Sequence, residues 1–61
     1  MSMQQVAAAV QNCKLNAEKL RAAARAEADN NIKKLLLEAA HHLDVGVAEL
    51  EYVTTGATVS I

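Results

Sequence analysis

Apolar residues recur at alternating steps of three and four along most of this chain, the spacing of helices that pack along a seam. Between residues 32 and 53 the rule is met by Ile32, Leu36, Ala39, Leu43, Gly46, Leu50 and Val53, and Leu35, Ala40 and Val47 flank that stripe. A second set, Leu37, His41, Val45, Ala48 and Tyr52, follows the same steps on another side of the same helix. One neighbouring helix can bury the first stripe. The second then needs a different cover, or it stays as an exposed apolar patch.

The N-terminal half carries its own seam: Met3, Val6, Val10, Cys13, Ala17, Leu20 and Ala24. Ser2 followed by Gln5 forms a capping-box pattern at its start. Leu15, with Ala8, Ala22 and Ala26, makes a weaker second stripe. The break falls at Asp29-Asn30-Asn31, whose short polar side chains bond to nearby backbone and favour caps and turns. No proline or glycine stands there, so one unbroken helix is the alternative, but a lone helix buries nothing against itself. The pattern predicts an all-α fold in a single domain, an antiparallel two-helix hairpin with helices over residues 3–27 and 31–54. The expected hairpin core is Val6, Val10, Cys13, Ala17 and Leu20 against Ile32, Leu36, Ala39, Leu43, Gly46 and Leu50. In that pairing Leu20 meets Ala39, Ala17 meets Leu43 and Cys13 meets Gly46, so large groups oppose small ones. Residues 55–61 are uncharged and rich in β-branched side chains, which suits a strand-like or partly disordered tail.

Composition sharpens this picture. The chain has 61 residues, few enough that folding alone is marginal. It holds one cysteine, so no intrachain disulfide can reinforce it. More than half of the residues are hydrophobic, yet Phe and Trp are absent and alanine is abundant, which favours closely packed helices over a thick core. Self-association is the remaining source of stability. Two hairpins are expected to form a four-helix bundle, with a tetramer as the larger alternative. The second stripe, with Leu37, His41, Val45, Ala48, Tyr52 and Leu15, is the expected oligomer interface. A formal net charge of −1 gives no global field toward nucleic acid or an anionic membrane. No apolar run spans a membrane and no signal peptide is visible, so a cytoplasmic location is expected.

Little of the sequence suggests catalysis. Glu38-Ala39-Ala40-His41 has the Glu-x-x-His spacing of carboxylate-bridged di-iron bundles. The seam through Leu36, Ala39 and Leu43 turns Glu38 and His41 outward, however, and adjacent His41 and His42 point about 100° apart. An interface-edge histidine pair is the better reading, with a subunit-bridging metal at either one as the lesser alternative. Cys13 falls on the seam and reads as a small hydrophobe. Lys14, Arg21 and Arg25 share one side of the first helix and would form a basic strip in a dimer, though Glu18 stands among them and no aromatic is present there to stack on bases. There is no nucleophile–base pair, carboxylate dyad or glycine-rich phosphate loop. No enzyme activity and no cofactor are expected. A protein partner of the homo-oligomer is the leading expectation, and a nucleic-acid-binding dimer the alternative.

From Val6 to Glu51 the chain resembles a group of short helical-hairpin proteins of spore-forming bacteria. The likeness rests on Val6, Val10, Lys14, Leu20, Lys33, Leu35, Glu38-Ala39-Ala40, Val47 and Leu50-Glu51. It implies a helical hairpin and carries no activity with it. In architecture the chain is also similar to the Rop-type hairpin, which dimerises into a four-helix bundle and binds RNA. No RNA-contacting motif of that protein is matched here.

Overall fold

A computed structural model describes residues 2–54 of the chain. The expected strand-like or disordered tail at 55–61 lies outside the described residues. Two helices pack against each other as a hairpin: α1 spans Met3–Ala26 and α2 spans Asn30–Thr54.

The ends of the helices are set by short polar side chains. At the start of α1, Ser2 Oγ accepts from the Gln5 backbone N–H at 3.2 Å, and Gln5 Oε1 accepts from the Ser2 N–H at 2.8 Å. This reciprocal box satisfies two donors that the first turn leaves without helical partners. At the other end of α1 the Glu27 N–H donates to the Ala24 carbonyl at 3.2 Å. Arg25 in that last turn places positive charge at the negative end of the helix dipole. Asp29 then opens α2. Its Oδ1 accepts from the N–H groups of Asn31 and Ile32, at 2.8 and 3.0 Å, and its carbonyl accepts from the Lys33 N–H at 2.9 Å. Glu27 Oε1 accepts from the Asp29 N–H, so one carboxylate steadies the residue that caps the next helix. Glu27, Ala28 and Asp29 are the whole connection, and they reverse the chain without glycine or proline.

The buried line between the helices is narrow and built of small side chains: Val10, Ala17 and Ala24 of α1 against Ala40 and Val47 of α2. The three alanines are each 1% exposed. Val6, Cys13 and Leu20 lie half-buried beside the line on α1, and Leu36, Ala39, Leu43 and Gly46 do so on α2. Alanine at the closest approach lets the two backbones come near, and the larger leucines close over the sides.

In α2 the buried line differs from the stripe anticipated through Ile32, Ala39, Gly46 and Val53. The helix is turned roughly 60° about its axis, so that Ala40 and Val47, anticipated as flanking residues, are the most covered. Ile32, expected in the hairpin core, is 47% exposed, and Leu50 is also exposed. Gly46 is only half-buried, and a Cβ built on it would meet nothing within 4 Å, so the anticipated close pairing with Cys13 does not occur. The rotation rearranges the charged residues. Centring α2 on Ala39 and Gly46 would carry Asp44 and Glu51 away from α1. The observed rotation brings both within reach of cations on α1 while keeping Leu36 and Leu43 against the seam.

Two outcomes follow. Ala40→Leu places three extra heavy atoms at the closest approach of the helices and is expected to destabilise the fold by about 1–3 kcal/mol in urea denaturation. Asp29→Ala removes both cap bonds of α2 and is expected to cost about 1 kcal/mol, whereas Asp29→Asn, an equally good cap, keeps most of the stability.

Candidate interaction surfaces

One edge of the hairpin is laced with charge. The Arg21 guanidinium reaches Asp44 across the two helices and also lies 3.9 Å from Glu18 on its own helix. One heptad away on each helix, Lys14 Nζ meets Glu51 Oε2 at 3.0 Å. The two cross-helix pairs therefore repeat at a constant antiparallel register. Two of the three cations of the anticipated nucleic-acid strip, Lys14 and Arg21, thus face carboxylates. Arg25 stands at the C-terminal end of α1, in the last turn. The carboxylates beside these cations reduce the positive field that a phosphate backbone would meet along this row.

The histidines sit side by side on the exposed surface of α2. Their ring centroids are 6.2 Å apart and the rings are inclined by 51°. Among the described residues no group of three or more His, Cys, Asp and Glu side chains could hold a metal ion. Lys33, Lys34, Leu37, Glu38 and His41 line an open groove, and Val45, Ala48, Glu49 and Tyr52 line another. Both grooves are lined by α2 alone. Among the described residues neither groove has a second wall. Cys13 carries a free thiol and is half-buried on the seam side of α1.

The residues anticipated as an oligomer interface are on the surface, but they do not form one patch. Leu37, Val45 and Tyr52 are all exposed along α2, and His41 and Ala48 lie between them in the same register. Leu15 is 56% exposed, and helical spacing puts it on the side of α1 facing away from α2. The other flank of α2 was read from sequence as core and flanking positions. It is just as apolar: Ile32, Leu35, Leu50 and Val53 are all exposed, Leu35 by 63%. Sequence reasoning divided α2 into a buried side and an exposed side. The structure gives it a thin buried line with apolar surface on both sides of it.

Among the described residues no helix is long and apolar enough to cross a membrane. Comparison with family models, curated proteins and solved structures finds no match to this chain.

The Arg21–Asp44 pair is partly exposed, with side chains 35% and 47% accessible. A double-mutant cycle through Arg21→Ala and Asp44→Ala is expected to give a coupling of about 0.2–1 kcal/mol, shrinking as salt is raised.

Proposed function

We propose that this protein is a small, non-enzymatic, self-associating hairpin that acts through protein–protein contacts, as an adaptor or a regulator. The observation that carries the reading is the exposure of Leu35, Leu37, Ile32 and Val45 on both sides of the α2 seam. A monomer rarely leaves so much large apolar surface in contiguous rows. The buried line supports the same reading, since it contains no large side chain that is fully covered. Two helices form one layer, and stable domains are built from at least two. A pair of hairpins makes a four-helix bundle, the smallest assembly that closes a core around these helices. A tetramer of hairpins would extend the same principle.

Light scattering and thermal melting over a hundredfold range of protein concentration test this. The expected result is a mass that is a multiple of the chain mass and a melting midpoint that climbs with concentration, because association stabilises the folded state by mass action. A folded species of single-chain mass whose midpoint is independent of concentration would overturn the proposal.

A further inference from the structure

The self-association proposed above leaves open which surface the copies share, and the ion pairs together with helical spacing decide it. In α1 the buried line is Val10, Ala17 and Ala24. Lys14 and Arg21 follow members of that line by four residues, about 40° to one side, whereas Cys13 and Leu20 follow by three, about 60° to the other. In α2 the buried line is Ala40 and Val47. Asp44 and Glu51 follow it by four. Leu43 and Leu50 follow by three, and Ala39 and Gly46 precede by one, all on the opposite side. The bridges Lys14–Glu51 and Arg21–Asp44 bring the two sets of four-step positions together on one face of the hairpin. The other face is then made of Cys13, Leu20, Ala39, Leu43, Gly46 and Leu50, with Ile32 and Leu35 beside them.

That second face is almost without charge. Within roughly 130° of the buried line on this side, Glu27 beside the turn is the only Lys, Arg, Asp or Glu. Its residues are also the incompletely covered ones. Cys13, Leu20, Ala39, Leu43 and Gly46 are half-buried, screened by the opposing helix and, among the described residues, by nothing above them. We infer that this uncharged face, and not the outward stripe through Leu37, Val45 and Tyr52, is where a second copy of the chain docks.

Three observations favour a second copy as the occupant. An identical face brings no charge with it, so two copies close on each other without stranding an ion away from water. The size fits: helices of 24 and 25 residues are about 36 Å long, and two of them side by side are about 20 Å wide, giving about 700 Å². A stable interface buries about 800 Å² per partner. Finally, the space above Gly46, where a Cβ meets nothing within 4 Å, leaves room for a side chain from across the interface.

Gly46→Glu and Val45→Glu separate the two faces with substitutions at adjacent positions. Gly46 lies on the uncharged face and Val45 on the outward stripe. Each is expected to keep the intrinsic helix propensity of α2, since glutamate is a good helix former. Sedimentation equilibrium is expected to show Val45→Glu associating like the native chain and Gly46→Glu at least about 100-fold more weakly, because carboxylates are introduced into a desolvated interface. If Gly46→Glu associates normally, or if Val45→Glu dissociates instead, this assignment is wrong while self-association stands. A native chain that never associates overturns both. Should Gly46→Glu lose its helical circular dichroism, the native chain still decides the matter. Alkylation of Cys13 by N-ethylmaleimide is expected to slow at least about tenfold as concentration rises through the association range. A rate that stays constant in a chain that associates counts against the uncharged face.

Discussion

The structure depends on how close two helices can come along a single line. Ala17, Ala24 and Ala40 hold that approach, and their small size is what makes it possible. The same small size limits what the contact can supply. An alanine at the interface removes little apolar area from water, and area is what stabilises. A hairpin that packs by closeness gains good geometry and dispersion contacts but little hydrophobic free energy. The leucines beside the line, Leu20, Leu36 and Leu43, are only half-buried, and Ile32, Leu35 and Leu37 beyond them are exposed outright. The apolar surface around the seam is therefore the complement of the seam itself: small residues at the centre displace the large ones to the rims.

Charge then gives the hairpin two unlike sides. Exposed ion pairs contribute little to stability individually. Lys14–Glu51 and Arg21–Asp44 matter here for orientation more than for energy. They join the acidic row of α2 to α1 in the observed rotation of α2 about its own axis. With that rotation set, one face is polar and the other nearly neutral. The packing through Ala40 and Val47 leaves Ile32, Leu50 and Val53 exposed, so the rotation that brings the ion pairs together also sets the apolar residues of α2 along the opposite face.

This distribution of apolar residues explains what could be read from the chain beforehand. The two helices and the reversal between them were legible because several signals agree: the three-and-four spacing, the Ser2–Gln5 box and the polar break at Asp29. Helix ends fall within a residue or so of the spans that the pattern suggests. In α1 the burial lies along the stripe its spacing picks out, which holds more of the large apolar residues than the weaker stripe through Ala8, Leu15, Ala22 and Ala26. In α2 spacing alone could not choose. Apolar residues cover most of its circumference, and Ile32, Ala39 and Gly46 make as regular a seam as Leu36, Ala40 and Val47. The rotation that occurs pairs residues far apart in sequence, Arg21 with Asp44, which no local period contains.

The connection through Glu27, Ala28 and Asp29 has a kinetic consequence. Because it is short and held by carboxylate-to-amide bonds on both sides, the first contacts between the helices close only a small loop and cost little chain entropy. Ala24 can meet the start of α2 before Val10 has found anything, and the seam can lengthen outward from the turn one layer at a time. Folding in this manner is fast, since helical hairpins rely on contacts close in sequence. It also imposes a gradient: the layers beside Asp29 form early and open late, while the end that holds Val6 and Glu51 forms last and exchanges its amide hydrogens first.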